Sequence, residues 1–337
     1  MSEKQRVVVT GANGYLGRHT VRELIAAGHE VIALCRKPSA DVSALGAQVR
    51  LGNLDHPASL ADAFAGATQL VHAAGTVSRD PKDAEELFHV HVDGTKAVLA
   101  AARTAGIAKA VVISSSGTVA VSDEPDFVAT ETSETPIGIL QRWPYYRAKL
   151  FAERAALAEN DATLAVVSLN PTLLLGPGDM HGSSTEDVRL FLERRVPFVP
   201  PGGISFVDVR DVAACIPAAL DHGRGGQRYL LGAVNLTLRE FFGRLERASG
   251  VKGPLLPIPR SPDLARAGLS FLKDALDRVG MRMPVDATSA DMAQYFWYLD
   301  ATLAETELGF SPRDPQETLH DTIQDLRQRG VIWPEES

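Results

Sequence analysis

Short apolar runs alternate with amphipathic stretches through the first half of the chain, and the two periods predict alternating strands and helices. Strands are expected at Arg6–Thr10, Glu30–Leu34, Gln48–Leu51, Gln69–Ala73, Ala110–Ser114 and Leu164–Leu169. Helices are expected at Arg18–Ala27, stopping at Gly28, then at Ser59–Ala65, at Ala84–Ala105, stopping at Gly106, and at Tyr145–Glu159. Such an alternation implies βαβ units, and therefore a Rossmann-type doubly wound parallel sheet of the α/β class with right-handed crossovers.

The pattern loosens after Asn170-Pro171, where Gly176-Pro177-Gly178 and Pro200-Pro201-Gly202-Gly203 punctuate loops. A short strand at Ser205–Val209, a helix at Asp211–Leu220 and a returning strand at Gln227–Leu231 follow. Helices dominate from Leu238, broken by Gly253-Pro254 and Pro257-Ile258-Pro259. The expected organisation is a dinucleotide-binding domain over 1–170, with 207–235 returning to it. A smaller, mainly helical substrate lobe would come from 171–206 and 236–337. Between Ser122 and Pro144 there is little apolar periodicity, which reads as an unusually long loop, a kind that often carries function.

Composition narrows the partners. The 337 residues are 45% hydrophobic and carry a net charge of −8 without a basic block, which argues against nucleic acid and anionic membranes. Two cysteines far apart, Cys35 and Cys215, suit a reducing compartment. The start MSEKQRVVVTG has no apolar signal region, and no run approaches the roughly 20 apolar residues of a membrane span. A cytoplasmic protein is expected. The histidines show no metal-ligand spacing, so no metal is expected.

Three clusters carry candidate chemistry. The first is Thr10-Gly11-Ala12-Asn13-Gly14-Tyr15-Leu16-Gly17, directly behind Val7-Val8-Val9. Glycines at this spacing, between a strand and an amphipathic helix, let a pyrophosphate approach the backbone at a helix N-terminus. The end of the second strand reads Ala33-Leu34-Cys35-Arg36-Lys37, with no acid for a ribose 2′-hydroxyl. Arg36 and Lys37 suit a 2′-phosphate instead, which favours NADP(H) over NAD. Asn53, followed by Leu54, is a candidate adenine contact. Ala73-Ala74-Gly75 ends the fourth strand in small residues that leave room for the cofactor.

The second cluster is Tyr145 with Lys149, four residues apart and so on one face of a helix. An ammonium beside a phenol stabilises the phenolate, so the pair is expected to lower the tyrosine pKa toward a useful acid–base value. Tyr146 has Leu150 as its i+4 partner and is assigned to packing or the cleft wall. The third cluster is Ser114-Ser115-Ser116, at the carboxyl end of the fifth strand, where ligands bind in such sheets. Ser116 is placed to bond the reacting oxygen, and Ser114 to line the cofactor site. Val77, Gly117, Thr118, Met180 and His181 are candidate substrate contacts.

With these residues in view, the chain resembles the extended short-chain dehydrogenase/reductase family, in its dihydroflavonol-reductase and cinnamoyl-CoA-reductase-like branch and among its NAD-dependent epimerase/dehydratases. TGANGYLG, VVISSSGTV at 111–119, YYRAK at 145–149, NPTLLLGPGD at 170–179, FVDVRDVA at 206–213 and LGFSPR at 308–313 carry the likeness over nearly the whole chain. The resemblance implies a catalytic triad of Ser116, Tyr145 and Lys149, with Ser115 as the alternative serine. It also implies that backbone near Pro171-Thr172-Leu173 flanks the nicotinamide amide, and a homodimer is common in the family. Two departures stand out: Asn53 stands where an aspartate is common, which weakens only the adenine contact, and His91 occupies the place of a family asparagine that supports a water relay to the lysine, either replacing it or, the favoured reading, as a packed histidine.

The activity so implied is NADP(H)-dependent interconversion of a small-molecule carbonyl and its alcohol, with Tyr145 as general acid/base. Two alternatives stay open: a nucleotide-sugar epimerase or dehydratase holding NAD tightly, and a non-catalytic dinucleotide sensor. Asp208, Arg210 and Asp211 read as ties between lobe and sheet, and Cys215 as core. Phe241, Phe271, Phe296, Trp297 and Tyr298 are open between core and an apolar pocket.

Overall fold

The computed structural model of the chain describes residues 4–196, 198–254, 256–257 and 286–332. Seven parallel strands form its main sheet: β1 (Arg6–Thr10), β2 (Glu30–Cys35), β3 (Gln48–Leu51), β4 (Gln69–His72), β5 (Lys109–Ile113), β6 (Ala165–Pro171) and β10 (Arg228–Leu231). Their spatial order is β10-β6-β5-β4-β1-β2-β3. The chain therefore winds outward one way from β1 through β2 and β3, then returns to lay β4 on the other side of β1. That reversal opens a crevice at the carboxyl ends of β1 and β4, where ligands bind in open α/β sheets. The strands were legible because they are buried on both faces; Val7, Val8 and Val9 are each fully inaccessible.

Two apolar layers cover the sheet. One joins the helices α1 (Tyr15–Ala26) and α9 (Val209–His222) to β1 and β2, and it contains both cysteines, buried and free. The other joins α3 (Pro57–Phe64) and α5 (Gly94–Thr104) to the opposite face. A second sheet pairs β7 (Leu173–Leu175) parallel to β9 (Gly203–Asp208), and β9 antiparallel to β11 (Val234–Thr237). The helices Glu186–Leu192, α10 (Leu238–Ser249) and Pro315–Gln328 pack on it around Phe191, Phe206 and Phe241. Thr237 and Glu240 close a capping box at the start of α10. The acids of the FVDVRD stretch are ion-paired: Arg210 bonds Asp208 and Asp321, and Arg313 bonds Asp211.

Several expectations shift. Helix α1 starts three residues early, at Tyr15, because the glycine turn leads into it without an intervening loop. The predicted helix over 84–105 is a helix at Ala84–Phe88, a π-turn at His89–Asp93 and then α5. The stretch from Ser122 to Pro144 is pinned by backbone pairing of Ser122 with Phe296 and of Ala129 with Leu299, partners too distant in sequence for local periodicity to show. Among the described residues, no helix is long and apolar enough to cross a membrane.

Candidate active site

The crevice is a cavity of about 420 Å³ between the carboxyl ends of the sheet and the second layer. Its floor is the glycine turn. Gly11 has φ +69°, and a Cβ there would stand 2.6 Å from the Ala74 nitrogen; a Cβ on Gly17 would overlap the Gly11 carbonyl. Only glycines let β1, α1 and the end of β4 close to this distance, which leaves the first N–H groups of α1 facing the cavity. The residues present therefore fit a dinucleotide pyrophosphate. Gly11, Gly14, Tyr15, Leu16 and Gly17 all line this floor, with Ala73 and Gly75 beside them. The Tyr15 hydroxyl donates to the Gly176 carbonyl at 2.9 Å, tying the turn to the loop after β7.

The opposite wall is built by α7 (Pro144–Ala158), with Pro144 at its first turn. It brings Tyr145 and Lys149 to the same cavity as Ser114, Ser115 and Ser116 from the end of β5, and Pro171, Thr172 and Leu173 from the end of β6. Lys149 Nζ donates to the Ile113 carbonyl at 3.0 Å. Burial holds the lysine pKa down at about 8, partly offset by Glu153 one turn on. Tyr145 and Ser116 line the cavity, and their hydroxyls make no hydrogen bond among the described residues. Ser115 also lines the cavity, but its hydroxyl caps the turn that follows by accepting from the Gly117 nitrogen at 3.3 Å.

The expected lowering of the Tyr145 pKa is not what the structure shows. Burial, with the Tyr146 phenol as a smaller cause, raises it. The Lys149 ammonium is engaged by a carbonyl and does not offset that desolvation.

Behind the site lies a buried polar network. Glu153 is fully buried, and one carboxylate oxygen forms an ion pair with Arg228 at 2.9 Å. Its other oxygen accepts from Ser114, from Thr118 at 3.1 Å and from the Asn170 amide at 2.5 Å. Nothing local in the sequence marks this group, because its partners come from four separate parts of the chain.

His91 sits on the π-turn, an irregularity that re-aims a helical side chain. Its ring lies edge-on to Tyr145 at 5.7 Å, and Nε2 bonds the Thr76 carbonyl at 2.7 Å. It is packed, as expected, and it also lines the cavity. His72 is buried below it, bonded by Thr10 at 2.7 Å and Thr95 at 3.0 Å. Burial, then the Lys149 charge, pushes both histidines down to about 3.

Not every candidate reaches the cavity. Met180 and His181 are exposed, on a loop that Gly178 and Gly182 turn outward. Thr118 is buried, its hydroxyl spent on the Ser115 carbonyl and Glu153. Gly117 lies under the Tyr146 ring, where a Cβ would clash. Of the five substrate candidates, Val77 alone is a lining residue. Asn13 is exposed in the glycine turn, and Ala74 donates its N–H to Thr10 Oγ1 at 3.2 Å. Asn53 bonds its neighbour Asp55 at 3.1 Å, and Leu54 packs against Gly94. Arg36 and Lys37 stand exposed at the carboxyl end of β2, with no ion-pair partner among the described residues.

The far wall is completed by Trp143, which carried no sequence signal, with Tyr146, read from the sequence as packing or cleft wall, and Trp297, left open between core and apolar pocket. Trp143, Tyr146 and Trp297 stack in tilted and edge-on pairs at 4.9–6.0 Å. Phe241 serves both the core and the cavity, while Phe296 is buried and Tyr298 lies against Gly203. Phe271 lies outside the described residues.

Comparison with known proteins agrees with this architecture. Residues 7–232 match the family described as NAD dependent epimerase/dehydratase family. The chain is 33% identical over 332 residues to sterol demethylase protein B of Methylococcus capsulatus, covering 96% of this chain and 99% of that one. It is 30% identical over 331 residues to a putative dihydroflavonol 4-reductase of Synechocystis, covering 96% and 95%. The solved structure of gox2253 superposes with a TM-score of 0.83 at 26% identity, covering 98% and 100%. The chain belongs to the NAD-dependent epimerase/dehydratase family of extended short-chain dehydrogenases/reductases, in its dihydroflavonol-reductase-like branch, and is an enzyme of that NAD(P)-dependent superfamily.

Proposed function

We propose that the protein is an NADP(H)-dependent reductase that converts a ketone or aldehyde to an alcohol, or the reverse, with Tyr145 as general acid/base. The observation that carries this reading is the meeting of Tyr145 and Ser116, whose hydroxyls have no hydrogen-bond partner among the described residues, in one cavity with the glycine turn. When bound, the reduced cofactor supplies a hydride to the carbonyl carbon. Ser116 would orient the carbonyl oxygen and Tyr145 would hand it a proton. A phenol kept protonated by burial suits that donor role. Lys149, at hydrogen-bond distance from Ile113, would supply the positive charge that stabilises the phenolate left behind. Arg36 and Lys37 support the phosphorylated cofactor, since an unengaged guanidinium can fork onto phosphate oxygens. The reductase names among the relatives point the same way.

Tyr145→Phe tests the assignment. It should lower kcat by about 10²–10⁴-fold, the span general acid–base catalysis supplies, while the NADPH dissociation constant stays within about twofold. Turnover within tenfold of the parent would overturn the acid–base role.

A further inference from the structure

The cavity extends well beyond the Tyr145 and Ser116 hydroxyls, and the chemistry of that extension is one-sided. Two cations line it among the described residues, Arg79 and Lys149, and both are committed. Arg79 forms a bidentate pair with Asp187, with both contacts at 3.0 Å, and donates to Ser289 at 2.9 Å. Lys149 is held by the Ile113 carbonyl. Several polar side chains at that end are likewise occupied: Gln294 by the Ala290 carbonyl, Ser183 by Asp179 and Ser289 by Arg79 and Asp286, while Ser205, also a lining residue, keeps a buried hydroxyl without a partner among the described residues. A buried diphosphate would find no unpaired cation there among the described residues, and burying an unpaired charge is costly.

The remaining surface is apolar. Tyr146 and Trp297 face each other at 4.9 Å with a 36° tilt, and Trp143 flanks Trp297 at 5.4 Å, giving an aromatic wall beside Tyr145. Leu190, Phe241 and Phe242 continue it into the core of the second layer, and Met292 closes it from the helix at Ala287–Met292. Aromatic faces and aliphatic side chains suit a hydrocarbon ring system.

Resting on the ketone-reductase reading above, we propose that the substrate is a neutral, lipophilic ring ketone. Its carbonyl lies at Tyr145 and Ser116, and its hydrocarbon body lies between the aromatic wall and Leu190, Phe241 and Phe242. Nucleotide sugars and acyl-CoA thioesters fit less well, since their phosphates would meet no unpaired cation among the described lining residues.

Binding tests this separately from turnover. Trp143 and Trp297 line the site, so their fluorescence reports occupancy with saturating NADP⁺ and no reaction. The probes are cyclohexanone, 2-decalone and a saturated 3-ketosteroid, with UDP-glucose and butyryl-CoA as the charged comparators. The dissociation constant should fall about tenfold or more at each step of ring size, as added apolar area is buried, and the charged probes should not saturate below about 1 mM, the affinity at which binding contributes only about 4 kcal/mol. An affinity that is flat with ring size, or tighter binding of either charged probe, overturns the proposal. Val196→Arg puts a cation on the apolar wall, at a half-buried lining position. It should weaken the ketosteroid at least tenfold with NADPH affinity unchanged; unchanged ketosteroid binding would also overturn the proposal. If that variant loses NADPH binding through misfolding, Trp297→Ala serves for the same comparison. Failure of the reductase reading would show instead as bound ketosteroid that NADPH does not reduce.

Discussion

Arg228→Met isolates the cost of the polar network under the active site. Arg228 is the cation facing Glu153, a carboxylate with no solvent exposure, at 2.9 Å. Breaking a buried ion pair by removing one partner typically costs about 3–5 kcal/mol, because the other charge stays buried. Donors from Ser114, Thr118 and Asn170 remain on the second oxygen, so the low end, about 3 kcal/mol, is expected. Arg228 keeps 17% of its side chain exposed, which screens the pair little. By contrast, Arg6→Met at the amino end of the central strand β1 removes a pair with Glu30 in which both side chains are nearly half exposed, and should cost much less. Urea denaturation of both variants at pH 7 supplies the comparison. Adding Glu153→Gln to Arg228→Met should restore at least half of the loss, since the amide carries no charge. A loss below about 1 kcal/mol in Arg228→Met, or a double variant no better than the single, would refute the account of Glu153 as a charge dependent on Arg228.

Arg36→Asp should weaken NADPH at least tenfold and shift preference toward NADH, read as the ratio of kcat/KM values; an unchanged ratio would remove the 2′-phosphate role. His72 and His91 are held near 3 when folded, against about 6.5 in the unfolded chain. Above pH 6.5 neither state binds these protons. Below it the unfolded chain takes up two that the fold refuses, so stability falls as pH falls. Between pH 7 and pH 5 the loss from the two together is roughly 4 kcal/mol. Urea midpoints that stay level over that range would show that the histidines are not buried neutral.

The strands at 6–10, 48–51 and 228–231 were readable to within a residue because each is a β-rich run cut by turn residues. The glycine turn, Tyr145, Lys149 and the serines were readable because their chemistry is local in sequence. What escaped was non-local. The π-turn at His89–Asp93 adds no break in hydrophobic spacing that a pattern could register, yet it aims His91 at Tyr145. Met180 and His181 look like cleft residues by their distance from β6, but the glycines around them turn the loop to solvent. Arg79 and Asp187 are 108 positions apart, and nothing in either neighbourhood foretells their pairing. The Tyr145 pKa went astray for a related reason: the sequence supplies the neighbour, while the burial that outweighs it belongs to the folded cavity.

The central claim is a dissociable NADPH serving a carbonyl reductase, and titration of the purified protein with NADPH and NADH tests it most directly. The account expects micromolar NADPH binding, NADH at least about tenfold weaker because the 2′-phosphate contact is worth upward of 1.4 kcal/mol, and no dinucleotide retained through purification. Tightly held NAD, or equal affinity for the two, would contradict it and favour an epimerase or dehydratase.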